Sequence, residues 1–150
     1  MRLPERIEVA VTVDGKPLEG QFINLTIVTT FKNNFHLLFG ATADDGKLVI
    51  TRNRIISEAL RDQELFVMDY GDPESHFSGE IVVSILGKKA IERAIDAYYI
   101  FKDAIGFPPD YLGQLHRAHK ILAALEGKEI SLDVTQWEPG NVSIRVEADQ

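Results

Sequence analysis

Apolar and polar residues alternate along several short segments of the chain, a period of two that is typical of strands with one buried face. The clearest segment is residues 7–13, in which Ile7, Val9, Val11 and Val13 alternate with polar or small residues. The same pattern predicts strands at residues 22–30, 35–39, 47–51, 65–70 and 81–86. Turn residues separate several of them, as at Asp14-Gly15 and Asp44-Asp45-Gly46. The first half of the chain is therefore predicted to be mainly β.

Three segments change to the three-and-four spacing of an amphipathic helix. A short helix is predicted after Thr51 or Asn53, since either residue is a suitable N-cap. Longer helices are predicted at residues 88–105 and 111–126. The apolar stripe of the first consists of Ile91, Ala94, Ile95, Tyr98, Phe101 and Ile105.

The segment between the two long helices contains residues that end one helix and begin another. Gly106 is predicted to be the C′ residue of the first helix, and Pro108-Pro109 prevents its continuation. Asp110 is predicted to cap the second helix, and Gly127 to end it. Because the connector is short, we expect the two helices to form an antiparallel hairpin.

The chain closes with two further alternating segments. Residues 130–134 and 142–146 flank Glu138-Pro139-Gly140-Asn141, a sequence with good turn chemistry. This pattern predicts a C-terminal β-hairpin. We expect one α+β domain over residues 1–150, with a sub-boundary near residue 87 between a β-rich part, 1–87, and a second part, 88–150.

The net charge of −7 and the isoelectric point near 5.1 argue against a broad basic surface for nucleic acid or anionic lipid. The absence of cysteine excludes disulfides, thiolate metal sites and a thiol nucleophile. The polar N-terminus does not resemble a signal peptide, and no apolar run approaches the roughly 18 residues of a membrane span. We therefore expect a cytoplasmic protein that binds neither nucleic acid nor membrane.

Two motifs in the first third of the chain resemble those of the prealbumin-like, or carboxypeptidase-regulatory-like, β-sandwich modules. Val13-Asp14-Gly15-Lys16-Pro17-Leu18-Glu19-Gly20 is similar to a strand-ending corner in that family, and Thr42-Ala43-Asp44-Asp45-Gly46-Lys47-Leu48 is similar to the turn that introduces a strand of the opposite sheet. The resemblance covers residues 11–51 and implies an antiparallel β-sandwich. Such modules mostly serve as structural, adhesive or carrier elements, so the resemblance also implies binding rather than catalysis.

The richest polar cluster lies at residues 69–80 and contains Asp69, Asp72, Glu74, His76 and Glu80. Carboxylate oxygens suit Ca²⁺ or Mg²⁺, and the imidazole admits a transition metal. The spacing matches no EF-hand loop, and a solvated acidic loop explains the same residues. A small metal-assisted hydrolase that uses this loop is the alternative function, but we predict that the loop holds no tightly bound metal.

His116 and His119 lie three residues apart on the second long helix, a spacing that allows two imidazoles to share one face. They also border the apolar stripe of that helix. We therefore interpret them as residues that cover the seam between the helices rather than as metal ligands.

Tyr99 and Ile100 lie outside the apolar stripe of the first long helix. Apolar residues on two sides predict a helix that is buried on more than one side. The second side is covered either by a protein partner, including a second copy, or by the terminal strands at residues 130–146. We take Tyr99 and Ile100 as candidate interface residues.

Motifs of catalysis and nucleotide binding are absent from the sequence. It contains neither a Gly-x-Ser-x-Gly elbow nor a glycine-rich loop before a helix. We therefore expect no catalytic residue and no cofactor. The predicted function is that of a non-enzymatic binding or structural module that acts through protein–protein interaction or self-association, as in a homodimer.

Overall fold

The computed structural model describes residues 4–29, 34–61, 77–137 and 143–147, and this part of the chain is α+β as predicted. The strands are β1 (Arg6–Val13), β2 (Lys16–Pro17), β3 (Phe22–Thr29), β4 (Asn34–Ala41), β5 (Lys47–Thr51), β6 (Phe77–Ile85), β7 (Ile130–Trp137) and β8 (Ser143–Glu147). The helices are α1 (Arg52–Arg61), α2 (Lys88–Phe101) and α3 (Tyr111–Ala124). Within the described ranges, none of these helices is long and apolar enough to cross a lipid bilayer. The strand predicted at residues 65–70 lies outside the described residues.

The first sheet is built around β1. Strand β7 pairs antiparallel with the whole of β1, from Arg6 opposite Trp137 to Val13 opposite Ile130. Because β7 occupies one edge of β1 throughout, β5 and β2 share the other edge. The turn from β1 to β2 has positive φ at both Asp14 and Gly15, which a two-residue type I′ hairpin requires.

The second sheet has the order β4-β3-β6-β8. Strand β3 pairs antiparallel with both β4 and β6, whereas β8 pairs parallel with β6. Strand β6 is therefore internal. Both of its faces are buried, Ile81 and Val83 on one side and Val82 and Ser84 on the other, as expected for a run that is apolar on both faces.

The prediction of a C-terminal β-hairpin is wrong. Both strands form, but β7 pairs with β1 in the first sheet and β8 with β6 in the second. Strands β7 and β8 come after residue 87, whereas all the other strands of the two sheets come before it. The alternation of apolar and polar residues indicates that a segment has one buried face. It does not indicate which other strand pairs with that segment.

Both sheets contribute to one apolar core. Ile7, Val9 and Val11 of β1 are fully buried, and so are Ile23 and Leu25 of β3. The remaining members of the cluster are Ile50 of β5, Ile55 of α1 and Ile81, Val83 and Ile85 of β6. Partly buried Leu132 and Val134 of β7 pack against it. The residues that alternate in the sequence are therefore those that meet in the core.

A second, smaller cluster joins the helices to β3. It consists of Phe22 at the start of β3, Ile91 of α2, and Leu115 and Ala118 of α3, all buried. Phe22 and Ile23 are neighbours in sequence but belong to different clusters, so β3 contributes side chains to both. Helices α2 and α3 thus pack on one another and on the Phe22 end of the second sheet.

The helix ends differ in part from the predictions. Thr51 caps α1 as expected, since its Oγ1 accepts a hydrogen bond of 3.2 Å from the amide of Arg54. Helix α2 ends at Phe101 rather than residue 105, because the Phe101 carbonyl accepts hydrogen bonds from both Ala104 and Ile105 and the last turn tightens. Gly106, predicted to be the C′ residue, lies five residues beyond the end of α2 and does not have positive φ.

Helix α3 begins without the predicted side-chain cap. Asp110 precedes it with φ of 62°, and its carboxylate accepts a 2.8 Å hydrogen bond from the guanidinium of Arg117 instead of an amide of the first turn. The helix ends at Ala124, two residues before the predicted end, and Gly127 follows with φ of 88°.

Candidate functional site

The two candidate interface residues, Tyr99 and Ile100, are both solvent-exposed in the last turn of α2. Tyr99 is 55% exposed and Ile100 is 71% exposed. The buried side of α2 is formed by Ala90 and Ile91 nearer its start. The terminal strands do not cover Tyr99 and Ile100, so the hypothesis that they bury this side of the helix is wrong.

Two residues that were predicted to belong to the core stripe are exposed as well. Phe101 is 46% exposed and Ile105 is 51% exposed. Ile105 lies beyond the C-cap Lys102, so its position is no longer set by the helical spacing that would align it with Ile91. The sequence contained a signal for this, since Gly106 and Pro108 lie within a few residues.

We define the apolar patch as the four exposed side chains Tyr99, Ile100, Phe101 and Ile105. Tyrosine and phenylalanine side chains have roughly 150–250 Å² of surface each, so Tyr99 and Phe101, about half exposed, leave on the order of 200 Å² in contact with water, and Ile100 and Ile105 add to it. Successive residues of an α-helix point about 100° apart, so this apolar surface is distributed around the end of α2. Outside the apolar patch, Val49 of β5 is also an exposed large apolar residue.

An aromatic cluster lies next to the apolar patch. The ring centroids of Tyr98 and Phe107 are 5.0 Å apart, and those of Phe107 and Tyr111 are 5.3 Å apart. Tyr111 also meets Phe22 edge-to-face at 6.1 Å, which connects the cluster to β3. Half-burial raises the pKa of the Tyr111 hydroxyl, because the charged form loses hydration. The cluster fixes the connector against the end of α2.

A cavity of about 510 Å³ opens between the end of α2 and the start of α3. Tyr98, Phe107 and Tyr111 line it together with Ile105 of the apolar patch and Lys102. The Lys102 ammonium lies 5.9 Å from the centroid of the Tyr99 ring, a cation–π contact at the rim. Tyrosine and phenylalanine, which line this cavity, are enriched at protein–protein interfaces.

His116 and His119 lie on α3 beside Glu92 and Asp96 of α2, and the four side chains line a shallow cavity of about 240 Å³ together with Ile95. The His119 Nε2 is 2.9 Å from the Glu92 Oε1. This hydrogen bond lowers the pKa of the Glu92 carboxyl. In the part of the chain that the structure describes, no three His, Asp or Glu side chains come close enough together to hold a metal ion.

Most of the candidate metal-binding loop lies outside the described residues. Four of its five candidate ligands are outside the described ranges: Asp69, Asp72, Glu74 and His76. Glu80 is described: it lies in β6, is half-buried, and pairs across the sheet with Ser143 of β8. The metal hypothesis for residues 69–80 therefore stays a prediction.

Comparison of the chain with protein-family models, with curated proteins and with solved structures finds no match. The resemblance of residues 11–51 to prealbumin-like modules accordingly remains a prediction from two motifs. What the chain does must be argued from its own surface.

Proposed function

We propose that this protein is a non-enzymatic interaction module, a prealbumin-like β-sandwich that presents an antiparallel helical hairpin to a protein partner. The observation that carries the proposal is the exposure of Tyr99 and Ile100 within the apolar patch. Fully burying one large apolar side chain contributes roughly 1.5–3 kcal/mol. Because Tyr99 and Ile100 are already partly covered, a partner that buries both gains roughly half to two thirds of this value from each.

The core and the helix contacts support the architectural part of the proposal. Buried side chains of both sheets belong to one cluster, which is the arrangement of a sandwich. Glu92, early in α2, contacts His119, late in α3, whereas Tyr98, late in α2, contacts Tyr111 at the start of α3. Contacts in this reversed order support an antiparallel pair of helices.

The chemistry of the surface favours protein as the class of partner. Tyrosine and phenylalanine are enriched at protein–protein interfaces, whereas phosphate backbones require clustered cations. The chain carries a net charge of −7, and the apolar patch has one neighbouring lysine, Lys102. An apolar protein surface fits this patch better than a polyanion does.

The experiment incorporates a photo-crosslinking amino acid in place of Ile100 in the full chain. The cross-linking is carried out in the cells that express the protein. The matched control carries the same amino acid at Val49, which is 44% exposed on β5 and outside the apolar patch. We expect a discrete protein adduct from position 100 and none from position 49. The partner is then purified, and Ile100→Glu is expected to weaken the complex at least about tenfold while Val49→Glu leaves it unchanged.

Two results would contradict the proposal. One is an absence of any adduct at position 100 beyond those at position 49. The other is a reconstituted complex whose affinity is the same with Ile100→Glu as with the unaltered chain. Both substitutions are at exposed positions, so each variant is expected to remain folded, and circular dichroism verifies this.

A further inference from the structure

One face of α2 carries both of the unburied residues Tyr99 and Ile100 and a set of charged residues. Four residues follow one another at spacings of three, four and three and therefore lie along one side of the helix: Arg93, Asp96, Ile100 and Asp103. Asp103 is in the turn just after the helix, and Lys102 before it keeps helical backbone angles. Arg93, Asp96 and Asp103 are exposed, and Ala97 between them is half-buried.

The charges at the two ends of this face have no partner within the described part of the chain. Neither Arg93 nor Asp103 takes part in an ion pair or side-chain hydrogen bond there, whereas Glu92 is paired with His119 of α3. Ten residues separate Arg93 from Asp103, about 15 Å along a helix. Position 98 lies halfway between them.

We infer that this face binds the same face of a second copy of the chain, with the two α2 helices antiparallel about a two-fold axis beside position 98. This inference rests on the proposed function and names the partner. In that register Arg93 of each copy meets Asp103 of the other. By the same symmetry Asp96 is level with Ile100 of the other copy, whereas Ala97 lies beside Ala97 and Tyr99 beside Tyr99, on the two sides of the seam.

The charge pattern favours the antiparallel over the parallel arrangement. A parallel pair would place Arg93 beside Arg93, Asp96 beside Asp96 and Asp103 beside Asp103, and like charges in contact oppose association. The antiparallel pair forms two Arg93–Asp103 contacts through a single symmetry operation, as an isologous interface requires. A seam of one helix is smaller than the roughly 800 Å² per partner of a standard interface, so we expect a reversible dimer.

The register is tested by disulfide trapping, which is straightforward because the chain contains no cysteine. Ala97→Cys lies one residue from the proposed axis, and we expect it to form a disulfide-linked dimer under mild oxidation. Lys89→Cys is on the same side of the helix but nine residues from the axis, roughly 27 Å from its symmetry mate along the helices. It is the matched control and is expected to stay monomeric on a non-reducing gel.

Charge exchange provides a second test by analytical ultracentrifugation. We expect Arg93→Asp and Asp103→Arg each to weaken the dimer at least about tenfold, because each brings like charges together at two symmetric contacts. The double variant that carries both changes restores opposite charges and is expected to return to within about threefold of the unaltered chain. If one of the single variants fails to fold, the other single variant and the cysteine pair still decide the question.

Three results would overturn this inference: a monomer at every accessible concentration, equal cross-linking by the two cysteine variants, or a dimer that is insensitive to both charge reversals. These results are distinguishable from a failure of the proposed function. A monomer that nevertheless gives a photo-adduct with a different protein at position 100 refutes self-association and leaves the interaction module intact. A monomer with no adduct at that position refutes both.

Discussion

The hydroxyl of Thr42 donates a 2.7 Å hydrogen bond to the carbonyl of Leu18, and this contact joins the two motifs that resemble prealbumin-like corners. The same Oγ1 accepts a 3.0 Å hydrogen bond from the amide of Gln21. Thr42 is buried, so neither of its partners has water as an easy substitute. This side chain therefore adds to the backbone hydrogen bonds, from Gly20 to the Thr42 carbonyl and from Thr42 to the Gln21 carbonyl, that join two segments about twenty residues apart.

Replacing Thr42 with valine tests this junction. Valine keeps the shape but leaves the Leu18 carbonyl and the Gln21 amide without their partner, which costs roughly 1–3 kcal/mol for a buried group. We expect urea denaturation to show a loss of this size in the free energy of unfolding. Thr135→Val, at an exposed position of β7, is the control and is expected to change it by less than about 0.5 kcal/mol. Equal effects of the two substitutions would contradict the assigned role.

Gly46 and Gly15 form a matched pair for a second prediction. Both have φ of 76°, but a Cβ on Gly46 would lie 2.6 Å from the carbonyl oxygen of Val11, whereas a Cβ on Gly15 has open space. We expect Gly15→Ala to cost only the conformational penalty, about 1–2 kcal/mol. Gly46→Ala adds a clash with backbone, so its cost should exceed that of Gly15→Ala by at least about 1 kcal/mol in the same denaturation assay. The reverse order would contradict the geometry.

The contact between Glu92 and His119 predicts a small dependence of stability on pH. The hydrogen bond from His119 holds the pKa of the Glu92 carboxyl below its usual 4.5. A depressed carboxyl pKa stabilises the folded state above the unfolded pKa, and this contribution disappears as the pH falls through the folded pKa. We expect Glu92→Gln to lower the melting temperature at pH 6, and the difference from the unaltered chain to vanish well below pH 4.5.

Glu129→Gln is the control for this experiment, because Glu129 is exposed and has no ion pair within the described ranges. Its melting temperature should follow that of the unaltered chain at every pH. A difference between Glu92→Gln and the unaltered chain that persists unchanged from pH 6 to strong acid would contradict the role of the carboxylate.

Metal removal separates the interaction module from the hydrolase alternative. We expect a chelator to leave the melting temperature unchanged, because the interaction module requires no metal. A tightly bound ion would stabilise the folded state by an amount that grows with the logarithm of the ratio of free ion concentration to dissociation constant, so its removal would lower the melting temperature by several degrees. Such a drop, reversed by one divalent ion, would favour the hydrolase that uses residues 69–80.

Local patterns in the sequence located most of the elements that the structure describes, the two-residue strand β2 being an exception. The alternation of residues 7–13 predicted β1, and Ile7, Val9 and Val11 are fully buried as a period of two requires. The cap of α1 by Thr51 and the turn at Asp14-Gly15 were also predictable. Each of these depends on interactions within a few residues, so the information needed is contained in the segment itself.

The tertiary structure decided the partners of the strands and the exposure of the helix surface. Strands β7 and β8 have the pattern of a hairpin but join different sheets, because pairing depends on edges supplied by β1 and β6. The exposure of Ile100 likewise depends on which other parts of the chain pack against α2. Hydrophobic periodicity indicates which residues are able to be buried. Whether each one is covered depends on surfaces that are distant in sequence and come together only in the folded chain.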